Sequence, residues 1–281
     1  MNLSIQHYSI QHFLSRSPII IQKSNTNVLS CSFSYLASYI FRYDNRFNSQ
    51  FSKSVFKYSL TPIVLKSTFY PIGAIYQSTN VPSMAVYEDC GFINIIHTGS
   101  DLVVYSNANG VFRMERCTFH TVQTAMEWTT TVKVEPINFA ILRYNCFQKV
   151  QAHMISFSIG WWNKNNNHVS CSDLNVQNSN GNHACLSLGK ITHHLDYTNC
   201  TSNPLGSGIW IHDGIMTGSI SRYHSVVNCS GSCATGTNLN IEISLQYYNV
   251  INNQFSHGIF FVFLTSTIRI FDWCIVKYSP L

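Results

Sequence analysis

The chain has 281 residues, of which 45% are hydrophobic, 14% aromatic and only 10% charged, with a formal net charge of +5. The apolar and aromatic content excludes a disordered chain, and a charged fraction well below the roughly 25% of ordinary soluble domains shifts the polarity onto neutral side chains. Asn is prominent among these and outnumbers Lys and Arg together; because Asn tolerates left-handed backbone and caps turns, this predicts many tight corners.

The opening segment, "MNLSIQHYSIQHFLSRSPIII", has polar residues every second or third position, so no secretion signal is read there. Residues 1–66 hold seven Lys/Arg and one acid, whereas 67–281 hold ten basic and eleven acidic residues. The basic stretch interleaves aromatics, as in Phe41, Arg42, Tyr43, Arg46, Phe47, Lys53, Phe56, Lys57 and Tyr58. Such interleaving suits a single-stranded nucleic acid, but no two basic residues are adjacent, and a solvated mixed face is the preferred reading. Nucleic acid is not an expected partner. Residues 1–82 are read as less regular N-terminal coils or a cap, and 83–281 as regular coils closed by a C-terminal cap.

From Cys90 onward the chain repeats. "YEDCGFINI" at 87–95 returns as "MERCTFHTV" at 114–122, and Cys90, Cys117, Cys146, Cys171, Cys200 and Cys229 follow one another at nearly even intervals. Cys31-Ser32-Phe33 precedes Cys90-Gly91-Phe92 by two such intervals, and Asn253-Gln254-Phe255 has the same shape with Asn for Cys. Phe92, Phe119 and Phe147 share the register, as do Val122, Val150 and Val176; aligning Phe147 with Phe119 puts Asn145, and not Cys146, at the Cys position. The segments between turns are short and rich in β-branched and aromatic residues ("LVVYS", "INFAILRY", "IEISLQYY"), and the turns are Asn- and Gly-rich ("NANG", "NKNNN", "NSNGN"). The expected fold is all-β: a single right-handed parallel β-helix, a solenoid of about ten coils with roughly 25–29 residues per coil, roughly 45–50 Å long at the usual strand spacing. Within "CTFHTV" alternate side chains share a face, so Cys117 and Phe119 both point to the core and the cysteines stack as a ladder beside Asn.

Candidate chemistry follows in chain order. One coil step brings Asp89 beside Arg116 and Glu88 beside Glu115, read as cross-coil pairing. Trp161-Trp162, before "NKNNN", form a candidate ligand surface, since aromatic faces suit sugar rings. Cys185 with His183, His193 and His194 is the nearest approach to a metal cluster, but no C-x2-C occurs, and scattered surface histidines explain it better. No metal and no cofactor site is expected. In "THHLD" at 192–196, alternation puts His193 with Leu195 on one side and His194 with Asp196 on the other, and His194/Asp196 is the candidate general-base pair. Asn199-Cys200-Thr201 and Asn228-Cys229-Ser230 fit the glycosylation triplet as by-products of the repeat. Stacked cysteines have parallel Cβ vectors too far apart for disulfides, which leaves Cys229 and Cys233 as the pair able to close locally. "GIFFVFL" at 258–264 is far too short to cross a bilayer and reads as a buried strand.

The "CTF" and "CGFIN" units, with Ile72-Gly73-Ala74-Ile75, resemble right-handed parallel β-helix proteins, in particular the polymorphic-membrane-protein-like repeats of surface proteins of bacteria and parasitic protozoa. The resemblance covers roughly residues 83–281; Phe92-Ile93-Asn94 stands one residue short of that family's Phe-x-x-Asn. It implies a non-enzymatic adhesin-like or structural protein at the cell surface or secreted, with a protein or glycan partner. The alternative is a polysaccharide lyase or glycoside hydrolase of the pectate-lyase-like fold, although that branch's Asn-Thr-Asp, Asp-Asp and Gly-His-Gly pieces do not occur here. The two differ in their surfaces: an enzyme gathers acidic and basic side chains in one groove, whereas an adhesin presents a smooth ladder-built face.

Overall fold

The computed structural model describes residues 2–11, 20–22, 25–34, 41–43, 49–57, 64–65, 75–79, 84–97, 102–108, 111–124, 130–134, 139–159, 168–188, 192–203, 205–211, 220–231, 235–237, 243–256, 260–262, 269–272 and 275–277. These form a right-handed parallel β-helix, and every strand pair is parallel. On the first face Asn2–Gln6, Asn25–Leu29, Ser49–Ser52, Met84–Glu88, Val111–Glu115 and Phe139–Arg143 pair in succession. The same ladder continues through the leading halves of His168–Gln177, Thr192–Thr201, Ile220–Val227 and Ile243–Ile251 to Arg269–Asp272. A second face begins with Ser9–Gln11 and continues through Ser32–Ser34, Val55–Lys57, Gly91–His97 and Thr118–Thr124, and a third includes Ile75–Thr79, Leu102–Ala108 and Thr130–Val134.

Coil number and length depart from the expectation. The first face has eleven rungs among the described residues, where the spacing predicts about ten. Coil length is uneven along that ladder: the step from Asn2 to its partner Asn25 is shorter than the step from Phe139 to His168, and the step from Ser49 to Ala85 is longer than either.

Left-handed corners shape the stack, two in each coil from Asp89 to Asn252 among the described residues. His7, Ser30, Lys53, Asp89, Arg116, Tyr144, Asp173, Tyr197, Tyr223 and Tyr247 make the first corner with φ between 50° and 60°. Asn94, Thr121, Lys149, Asn178, Ser202, Asn228 and Asn252 make the second, with φ between 49° and 55°. Each such residue bends the strand, and past the first described coil, where Tyr8 stays exposed, the side chain after it turns inward. Cys31, Cys90, Cys117 and Asn145 at the first corner, and Ser179, Asn203, Cys229 and Asn253 at the second, are all buried.

The inward corner residue must also satisfy its own backbone. The Cys117 N–H donates to Asn145 Oδ1 of the next coil at 3.0 Å, Ser179 N–H to Asn203 at 2.9 Å and Cys229 N–H to Asn253 at 2.7 Å. The amide of Asn145 reaches back to the Met114 carbonyl at 3.0 Å, and that of Asn253 to Val226 at 2.8 Å. Where the inward residue is Cys or Ser, its S–H or O–H donates to the carbonyl two residues earlier. Cys31 bonds Leu29 and Cys90 bonds Glu88 at 3.3 Å, and Ser54 bonds Ser52 at 3.0 Å. At these corners the small side chain pairs its own donor, where a buried, unpaired polar group costs about 1–3 kcal/mol; in other coils Ile95, Val122, Val150, Leu174 and Tyr248 fill the same inward place.

This explains why Cys and Asn interchange, and it corrects the single sulfur ladder. Among the described cysteines only Cys90 and Cys117 stack directly, since Ser54 separates Cys31 from Cys90 and Asn145 follows Cys117. Cys171 lies in the first-face core between Leu142 and Leu195, and Cys200 in the second-face core between Val176 and Val226. Cys229 is at the second corner, and Cys146 is one residue out of register and half-buried. Equal sequence spacing is not equal position in a coil whose length changes, and a small apolar thiol packs at any inward place.

Phenylalanine does stack as expected. Phe92 on Phe119 and Phe119 on Phe147 have ring centroids 4.5 Å apart and planes within 4°. Val122 pairs with Val150, but Val176 sits over Phe147 instead, and Cys200, Val226 and Val250 continue that column.

The described cysteines are free thiols; Cys233 lies outside the described residues. Burial pushes the Cys171 and Cys229 thiols up to about 12, and raises Cys117 well above the usual range. In alkylation with peptide mapping at pH 8, Cys117, Cys171 and Cys229 are expected to stay unmodified in the native chain and to react fully in denaturant. In urea melts, Phe119→Ala is expected to cost about 3–5 kcal/mol, and Asn145→Leu about 2–4 kcal/mol from the N–H and C=O it strands.

Candidate functional site

A residue at a left-handed corner points its side chain to solvent, so the first corner forms a continuous outer edge along the stack. Tyr144, Asp173, Tyr197, Tyr223 and Tyr247 occupy five successive rungs of that edge. Tyr144 is 57% exposed, Tyr197 49% and Tyr247 40%. Tyr197 stacks on Tyr223 and Tyr223 on Tyr247, each with centroids 4.7 Å apart and planes within 9°. Bulky side chains are uncommon at positive φ, where Asn, Asp and Gly are the easy occupants. The second corner follows that rule with four Asn.

The first-face column beside this edge carries the charges. His194 and Asp196, the expected pair, do meet: the His194 Nε2–H donates to Asp196 Oδ2 at 2.9 Å, while Leu195 between them is buried. The guanidinium of Arg222, one coil on, clamps the same carboxylate through Nε at 2.7 Å and Nη2 at 3.5 Å. It also lies over the Tyr223 ring, 5.5 Å from its centroid, and the bond to Asp196 raises its pKa.

Lower on the edge is a second charged group. Asp89 accepts from Arg116 Nε at 2.6 Å and Nη2 at 3.1 Å, and Glu88 lies directly under Glu115. Arg113 bridges the two glutamates, with Nη2 2.8 Å from Glu115 and 3.2 Å from Glu88. The bond from Arg113 holds the Glu115 carboxyl below the usual range, and the bond from Arg116 does the same to Asp89. A general acid needs the opposite shift, toward a protonated carboxyl at neutral pH.

Charges therefore gather as an enzyme requires, yet arginine pairs with each of Glu88, Asp89, Glu115 and Asp196. Trp161, Trp162 and the side chains of His183, Cys185 and His193 lie outside the described residues. Among the described residues no three potential metal ligands stand together, and no helix is long and apolar enough to cross a membrane. A shallow hollow of about 320 Å³ on the N-terminal coils is lined by polar side chains including Asn2, Asn25, Asn27 and Gln50. Sequence reasoning missed the tyrosine row. Its signal was the residue just before each inward corner position, a Tyr at 144, 197, 223 and 247.

No family model and no curated protein sequence matches the chain. Among solved structures the chain is similar to the A-module of a mannuronan C-5 epimerase from Azotobacter vinelandii, at 8% identity and a TM-score of 0.32, covering 100% of this chain and 91% of that one.

Glu115 and Asp89 have folded pKa values below their unfolded ones, so their stabilisation is present above about pH 4 and is lost as pH falls through the folded values. Urea midpoints measured from pH 7 to pH 2 are expected to fall below pH 4, and Glu115→Gln is expected to flatten that fall.

Proposed function

We propose that this chain is a non-enzymatic β-helix recognition protein that binds a surface partner, protein or glycan, along its first corner. The observation that carries this reading is the row Tyr197, Tyr223 and Tyr247, stacked and solvent-facing on backbone that disfavours large side chains. Non-Gly residues at positive φ cost of order 1 kcal/mol or more, and the inference runs from such an outlier to a function. Exposed aromatic rings on a rigid scaffold supply contact area at little entropic cost. The paired carboxylates beside them favour a binding surface over a hydrolytic centre. An adhesin-like role at the cell surface is the finer form of this reading, and it rests on the repeat resemblance.

The second reading, a polysaccharide lyase or hydrolase, has one specific observation in its favour: the 2.9 Å His194–Asp196 contact next to Tyr197. A release assay on mixed polysaccharides with Asp196→Asn as control separates the two. Product from wild type but not from the variant would establish catalysis; the recognition reading expects none from either.

For binding itself, wild type and a Tyr197→Asn/Tyr223→Asn/Tyr247→Asn variant are compared on glycan and peptide arrays. Asn suits the left-handed corner, so the variant is expected to fold and to lose tenfold or more in retention, since each aromatic contact is worth roughly 0.5–1.5 kcal/mol. Equal retention by the two proteins would remove the tyrosine edge from the function.

A further inference from the structure

The tyrosine row is interrupted at a single rung, and the interruption is a carboxylate. Tyr144, Asp173 and Tyr197 are the corner residues of three successive coils: Arg143 pairs with Ser172, and Ser172 with Asp196, immediately before them. All three have the same left-handed backbone, with φ of 55°, 54° and 52°. Tyr144 and Tyr197 thus flank Asp173 two rung spacings apart, about 10 Å. Tyr223 stacks on one side of the Tyr197 ring, and on its other side the neighbouring corner side chain is Asp173.

The same edge shows how this protein treats a carboxylate. Asp89 is clamped by Arg116, the corner residue of the next coil, and Asp196 by Arg222, also one coil on. In the second case the guanidinium rests on a tyrosine ring as well. At Asp173 the next coil supplies Tyr197 at the corner and Asp196 in the adjacent column, so no arginine is provided. Asp173 makes no ion pair among the described residues.

We propose that Asp173, between Tyr144 and Tyr197, is a receptor for the guanidinium of an arginine side chain presented by a polypeptide partner. A guanidinium is flat enough to slide between two rings, its fork matches a carboxylate, and it stacks on aromatic faces. Two rung spacings leave about one ring-stacking distance on each side of such a plane. The inserted group completes the row that Asp173 interrupts, and it repeats with a partner's arginine what Arg222 does with Asp196 and Tyr223. This rests on reading the edge as a recognition surface, and it assigns the partner's chemistry as basic polypeptide.

The test uses the full chain labelled with 13C in its tyrosine rings, with the Tyr144 and Tyr197 signals assigned by single Tyr→Phe changes. Nα-acetyl-arginine methylamide is titrated against the neutral isostere Nα-acetyl-citrulline methylamide. Saturable shifts of Tyr144 and Tyr197 are expected with the arginine probe, with affinity at least tenfold weaker for citrulline and for Asp173→Asn. Asn is at home in left-handed backbone, so an unchanged urea midpoint for Asp173→Asn shows that lost binding is not lost folding. Shifts that are absent, equal for both probes, or unchanged in Asp173→Asn overturn the proposal. If those shifts are absent while the triple tyrosine variant still loses array binding, the receptor falls and the recognition edge stands; glycan retention indifferent to Asp173→Asn also counts against an arginine partner. If arginine binds at Asp173 while the triple variant keeps full array retention, the receptor stands and the broader edge reading falls.

Discussion

A left-handed residue in the middle of a parallel strand sends its successor inward and takes that successor's N–H out of the ordinary ladder. The next coil supplies the acceptor for it, Asn145 Oδ1 for the Cys117 N–H and Asn253 Oδ1 for that of Cys229. The corner is thus completed by a residue about one coil later in the sequence, and a coil is stable only in the presence of its neighbour. The same bend determines what faces outward, so the packing of the core and the chemistry of the edge originate in one backbone conformation.

That shared origin bears on function. A corner side chain is held by a rigid stack on both sides, and successive corners repeat at the strand spacing of about 4.8 Å. Charges at such spacing neutralise one another readily, as Asp89 does with Arg116 and Asp196 with Arg222. Ion pairs of this kind link neighbouring coils, and they leave the carboxylates they hold without the upward shift that a general acid needs. Aromatic rings at the same spacing stack instead, as Tyr197, Tyr223 and Tyr247 do.

Much of the fold was legible in the sequence because several coils repeat the same inward side chains. Cys-x-Phe marks a corner residue and the core residue two places on, and Phe92, Phe119 and Phe147 superpose as their spacing implies. The Asn145 alternative was readable for the same reason, since Asn and Cys meet the same backbone demand in different ways. The position of the other cysteines was not legible, because thiols also fit the strand interior, as Cys171 and Cys200 do. The outer edge was harder still. Its occupants differ from coil to coil, from Lys53 and Asp89 to Arg116 and Asp173, so Tyr144, Tyr197, Tyr223 and Tyr247 carry no periodic signal until the corner residues are superposed. His194 and Asp196 were found by simple alternation, whereas their arginine, Arg222, comes from the following coil.

The variable coil length has a consequence for how such a protein can change over time. Coils as different as the one from Asn2 to Asn25 and the one from Ser49 to Ala85 leave the first-face ladder unbroken, so segments between corners can be gained or lost without disturbing the rungs above and below. Lineages descended from this chain can therefore lengthen or rewrite one coil while inheriting the others intact, and a new specificity can arise by local editing instead of by refolding the whole.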